Sequence, residues 1–283
     1  MWFEVLVLFF MSVLLYYLVA SFVALINEKN ERAKYRQQLT QALPKYLVYN
    51  GDKLSFTDVE MTGILNKYFP YYRELNSDLQ KKFFKRVKQF IKTKTFIIRH
   101  NEGFKEMPVL VSAAAIQITF GLERYQLPFF TYIQIYPEEY FAENALRVLA
   151  GHVKDNTITI AWNHFLKGFT EEDGSNVGLH EMAHALYYQH LIADVYKHKP
   201  FVTDFEDVMQ QGEETFKQCR ELSNRLYSDY AFTNLQEFWA ESLEIFFERP
   251  CEMETLYPAL FRELCSLLKQ NPKNKLQPLS SFT

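Results

Sequence analysis

Three residues in one short stretch have the types and spacing to hold a metal ion and work beside it. The tract Asn176–Leu186 reads NVGLHEMAHAL and contains His180, Glu181 and His184 in the order His-Glu-x-x-His. On a helix, residues four apart lie one turn above each other on the same face, so imidazoles at 180 and 184 can converge on one small cation. Glu181 then projects about 100° around the axis from His180, beside the cation and not on it, where it can take a proton from a water. Neutral imidazole with carboxylate ligation suits Zn2+ with one position open, and the ion lowers the pKa of water in that position toward about 7. The chemistry implied is hydrolysis by an activated water.

A site of this type needs a third ligand, and a carboxylate on a later helix is expected to supply it. The segment Asn234–Glu248, NLQEFWAESLEIFFE, is amphipathic, with Phe238, Leu243, Phe246 and Phe247 as core positions. Glu237, Glu241 and Glu244 recur along it at helical spacing, and spacing alone leaves the choice among the three open; a solvated acidic face would show the same run. His190 does not extend the pattern, because it misses the His-Glu-x-x-His-x-x-Gly-x-x-His spacing in which a glycine turn brings in a third histidine. It is expected behind the ligands or at the surface.

The elements that must position these groups can be read more coarsely. Met182, Ala183, Ala185 and Leu186 make the His-Glu-x-x-His segment apolar around its histidines, as a central helix would be. Asn76, Ser77 and Asp78 signal a helix start before Leu79, Phe83, Phe84, Val87, Phe90 and Ile91, spaced three and four apart. After Pro108, VLVSAAAIQITFGL suits a buried helix. FTYIQIYP (Phe130–Pro137) and TITIAW (Thr157–Trp162) suit strands, the second as an edge strand against which a substrate backbone would add. Beyond Gly174 the chain looks helical almost to its end.

At the N-terminus, Val5–Ile26 is uncharged over about 22 residues, enough to cross a hydrocarbon core as a helix. Lys29, Arg32, Lys34 and Arg36 follow it and no basic residue precedes it, which places the rest of the chain in the cytoplasm. The expected division is a transmembrane anchor at 1–28, a juxtamembrane linker at 29–58 and one domain at 59–283. Lys plus Arg is 31 against 34 Asp plus Glu, a net charge of −3 that argues against nucleic acid as a partner. The three cysteines, Cys219, Cys251 and Cys265, show neither CxxC nor zinc-finger spacing and read as reduced thiols.

These motifs resemble the Mlc titration factor A (MtfA) type of zinc peptidase. The likeness covers TITIAW followed by DGSNVGLHEMAH, YAFTNLQE continuing as FWAESLEIFFERP, and YPALFRELCSLLKQNP; it is weaker over HNEGFKEMPVLVSAAAIQITFGLERY with YIQIYP. It implies an α+β, mainly helical, zincin-like metallopeptidase domain with a small β-sheet and an active-site helix. Carried over residue by residue, it makes His180, His184 and Glu237 zinc ligands, Glu181 the general base and Tyr230 the phenol beside the oxyanion. Glu241 is often not acidic in that family, and here it could orient a histidine N–H. The N-terminal span departs from the soluble relatives.

The resulting expectation is a zinc peptidase on the inner membrane, single-pass with its catalytic domain in the cytoplasm, acting on peptide or protein substrates and more aminopeptidase-like than endopeptidase-like. A rival reading is a membrane-tethered protein that sequesters a transcriptional regulator, its zinc mainly structural. A third is a metal-free interaction domain.

Overall fold

The computed structural model describes residues 11, 13–24, 26–27, 30, 48–51, 54–99, 105–142, 147–170, 174–192, 199–221 and 226–274. The chain divides into two compact units, Met1–Tyr46 and Leu47–Thr283. In the first, residues 13–24 are helical, and Leu14, Leu15, Leu18, Val19 and Phe22 are exposed. The expected span Val5–Ile26 lies partly outside the described residues, as do Lys29, Arg32, Lys34 and Arg36. Among the described residues, no helix is long and apolar enough to cross a membrane.

The second unit is built on a five-stranded sheet in the order β1 (Val48–Asn50), β2 (Thr95–Ile98), β3 (Tyr132–Tyr136), β7 (Thr157–Ala161), β6 (Gly151–Lys154). β4 (Tyr140–Ala142) and β5 (Arg147–Leu149) form a separate two-stranded sheet. β2, β3 and β7 run parallel, with Ile133 opposite Ile158 and Ile135 opposite Ile160, and β6 closes antiparallel on β7. β1 pairs antiparallel with β2, so the sheet takes in part of the stretch 29–58 expected to be linker.

The expected strands at 130–137 and 157–162 are present as β3 and β7. β7, however, lies between β3 and β6 with both its edges hydrogen-bonded, so the expectation of an edge strand there is corrected: the edge belongs to β6. β6 is four residues long, separated from β7 only by a turn, and has Val153 as its one β-branched residue among Gly, His and Lys, a weak strand signal in sequence.

Helices make up most of the rest of this unit. α1 (Asp58–Tyr68) begins with a Thr57/Glu60 capping box, and α2 (Ser77–Lys92) is capped by Asn76 and buries Phe83, Val87, Phe90 and Ile91. α3 (Glu106–Thr119) is buried along Met107–Thr119, its small residues allowing close approach of its neighbours. Further along the chain come α4 (Val177–Tyr187), α5 (Lys199–Glu221), α6 (Leu235–Glu248) and α7 (Pro258–Leu268). Mainly helical α+β architecture is therefore what the sequence folds into. α4 packs against both α3 and α6 and lies beside β6 and β7, which puts the His-Glu-x-x-His residues between the sheet edge and the acidic helix.

Candidate metal centre

The start of α4 is fixed by Asn176. Its side-chain oxygen accepts the Leu179 N–H at 3.1 Å, and its Nδ2 donates to the Gly168 carbonyl at 2.7 Å and to Glu248 at 2.9 Å. Midway along, the Trp239 indole N–H on α6 donates to the Ala183 carbonyl at 2.9 Å. α4 is thereby locked to α6 at two levels, and side chains facing that seam are held in register.

His180 and His184 face it together, with Nε2 atoms 3.1 Å apart. Glu237 sits in the first turn of α6, where Asn234 accepts the backbone N–H groups of Gln236 and Glu237. Its Oε2 lies 3.1 Å from His180 Nε2 and 3.2 Å from His184 Nε2. Of the three glutamates left open by spacing, Glu237 is the one that meets both imidazoles. Among the described residues, His180, His184 and Glu237 form the group of ligating side chains that converges, with its ligand atoms within 4.8 Å of one another.

The donor set fits a cation. His180 Nδ1 faces a Glu244 oxygen at 2.6 Å, a contact in which the nitrogen carries the proton and Nε2 is left as a lone pair. That lone pair points at His184 Nε2 and at a carboxylate oxygen. Three electron-pair donors at this separation repel unless positive charge stands among them. Tetrahedral ligation by bonds of about 2.0 Å places donors about 3.3 Å apart, close to the observed triangle. For the bare side chains the same demand falls on protons. Burial works against a charged His180, yet Glu237 and Glu244 outweigh it and raise its pKa well above the ordinary imidazole value. Burial likewise opposes a charged Glu237, but the two histidines hold its carboxyl well below the usual range.

Glu181 lies beside this triangle and outside it. It is 4 % exposed, and its Oε2 is buried without a hydrogen-bond partner. Burial pushes its carboxyl up to about 8, opposed by His180 and reinforced by Glu237 and Glu244. It fits against the sheet edge because residue 151 is glycine: a Cβ there would stand 2.6 Å from Glu181 Cγ and Oε1. Tyr230, on the 3-10 turn Tyr230–Thr233, is 44 % exposed, with its ring centroid 6.3 Å from that of His180.

Two expectations about neighbouring residues change. Glu241 does not orient a histidine; its carboxylate accepts from the backbone N–H and hydroxyl of Ser228, and Glu244, three residues on, is the partner of His180. The register along α6 decides this, since residue 244 lies beneath the ring and residue 241 faces the turn before Tyr230. His190 is not at the surface: it is 1 % exposed, sits in the π-helical turn Tyr188–Ile192, and its ring centroid is 4.6 Å from that of Phe201. Sequence reasoning missed the parts played by Gly151, Asn176 and Trp239. Of these, Asn176 alone carried a local signal, standing where a helix N-cap belongs.

The profile of the glucose-regulated metallo-peptidase M90 family matches residues 53–269. No curated protein matches the chain.

Proposed function

The chain belongs to the glucose-regulated metallo-peptidase M90 family, and on that premise we propose that it is a zinc-dependent peptidase anchored to the membrane by its N-terminal segment. The hydrolytic reading is carried by the convergence of His180 Nε2, His184 Nε2 and Glu237 Oε2 within 3.2 Å of one another, beside the buried, partnerless Oε2 of Glu181. His180, His184 and Glu237 would hold the ion, which when bound supplies Lewis acidity toward the scissile carbonyl and the attacking water. Glu181 takes the proton from that water and delivers it to the leaving amine. Tyr230, exposed beside His180, donates its hydroxyl to the developing oxyanion. Among the described residues β6 is an outer strand of the sheet, along which an extended peptide adds as a further strand, and Gly151 keeps Glu181 against that edge.

Short peptides, cleaved in the manner of an aminopeptidase more than of an endopeptidase, are the substrates favoured by the resemblance to MtfA-type peptidases. Membrane anchoring rests on the uncharged run Val5–Ile26, and a cytoplasmic catalytic unit on the cluster Lys29, Arg32, Lys34 and Arg36 after it. Carbonate-resistant sedimentation with the membrane, and protection of the catalytic unit from protease added outside intact spheroplasts, would test both.

The decisive experiment measures zinc content and chelator-sensitive hydrolysis of a peptide library by the full chain beside Glu237→Ala. One ion per chain and chelator-sensitive cleavage are expected, with both lost in the variant. Cleavage that ignores the chelator would overturn the reading. Tight zinc binding with no cleavage would favour the capture of a transcriptional regulator at a structural zinc site, and the absence of zinc would favour a metal-free interaction domain.

A further inference from the structure

The turn that carries Tyr230 is tied to α6 through a carboxylate with no part in the ligand triangle. Glu241 is 8 % exposed, one helical turn beyond Glu237. One of its oxygens accepts the Ser228 backbone N–H, and the other accepts the Ser228 hydroxyl at 2.7 Å. The same Ser228 oxygen accepts the Tyr230 N–H at 3.2 Å. The chain of contacts thus runs from α6 through Ser228 into the first residue of the 3-10 turn. Upstream, the turn is anchored by Tyr227, which is 4 % exposed and whose hydroxyl lies 3.0 Å from Ser242 Oγ, again on α6.

Such anchoring matters because Tyr230 is nearly half exposed. A ring with that much solvent contact is not fixed by packing on all sides, so where the backbone of the turn is held contributes to its place beside His180. A buried carboxylate, in turn, has to find donors, and Ser228 satisfies both of its oxygens.

We propose that Glu241 and Ser228 are positioning residues: the bidentate contact between them holds the turn that sets the Tyr230 ring beside His180, so that Glu237 and Tyr230 are both placed by one helix. The proposal rests on the hydrolytic reading of the site for its kinetic consequence, but not for its structural one.

The test uses the full chain with Glu241→Ala, Glu241→Gln, Ser228→Ala and Tyr230→Phe, and with Glu241→Ala combined with Tyr230→Phe. In protein labelled with 3-fluorotyrosine, the Tyr230 fluorine resonance is identified by its loss in Tyr230→Phe. It should shift and sharpen toward the unfolded-chain position in Glu241→Ala and stay near its wild-type place in Glu241→Gln, whose amide still accepts from the Ser228 backbone. On peptide substrate, Glu241→Ala should lower kcat about tenfold with KM and zinc content unchanged, a part of the loss expected for removing an oxyanion donor altogether. In the Tyr230→Phe background the same substitution should cost less than about twofold, because groups acting through one another are not additive. A Tyr230 resonance unmoved by Glu241→Ala and Ser228→Ala would overturn the proposal, as would a full tenfold cost persisting without the phenol. A wild-type chain that cleaves no peptide would count against the peptidase reading alone, and the resonance would still decide the positioning role.

Discussion

The imidazole of His180 is held from behind by Glu244, whose oxygen lies 2.6 Å from Nδ1. The other Glu244 oxygen accepts the backbone N–H of Asn176, so one buried carboxylate both orients the His180 ring and fastens the helix that bears it. Replacing it with alanine frees the ring to turn and to exchange tautomers. Glu244→Ala should weaken zinc binding about 10- to 100-fold, measured by competition with a chromophoric chelator. Wild-type affinity in that variant would show that the carboxylate has no hold on the ring.

Glu181→Gln removes the proton acceptor without touching the triangle of His180, His184 and Glu237. Zinc content should remain at the wild-type level while kcat falls about 10²- to 10⁴-fold, the range for loss of a positioned general base. Hydrolysis at the wild-type rate would remove Glu181 from the mechanism.

Gly151→Ala sets a methyl group 2.6 Å from the Glu181 carboxylate. Strand and side chain must separate, at a cost of about 1–3 kcal/mol for the inserted group. Peptide turnover should drop while zinc content is retained, since the nearest atoms to a methyl at residue 151 all belong to Glu181 and not to the three proposed ligands. A variant as active as the wild type would show that Glu181 has room to move away.

A separate prediction concerns the Thr57/Glu60 cap of α1. Glu60 accepts the Thr57 backbone N–H at 2.9 Å and the Lys105 ammonium at 2.9 Å, and these hold its carboxyl at about 2 against an ordinary value of 4.5. A folded-state pKa below the unfolded one gives stability that is complete above pH 4.5 and is lost as pH falls toward 2. The difference in unfolding midpoint between wild type and Glu60→Gln should therefore shrink across that interval and vanish at its lower end. A constant difference would mean that the charge of Glu60 contributes nothing.

What the amino-acid order revealed and what it hid divide along the range of the interactions. His180, Glu181 and His184 were legible because four-residue spacing on a helix is a local rule, and the helices at 77–92 and 235–248 were legible from their apolar periodicity. Glu237 was singled out by resemblance, not by spacing, because which glutamate reaches the histidines depends on how α6 is rotated against α4. The same rotation gives Glu244 to His180 and Glu241 to Ser228. The edge strand was misplaced for a comparable reason: TITIAW has the composition of a strand, but which strand is outermost depends on pairing with β6, whose Gly151–Lys154 sequence carries a weak strand signal. His190 was buried by packing on Phe201, a contact between segments that no short-range pattern describes.

Glu237, Glu241, Glu244 and Glu248 leave α6 within one narrow stripe, and between them they reach the histidine pair, Ser228 and Asn176. A slide of that helix by a single residue, about 1.5 Å, would release all four at once. Whatever disturbs the seating of α6, even from its greasy side, should therefore be felt in concert by Glu237, by the support of His180 and by the turn that bears Tyr230.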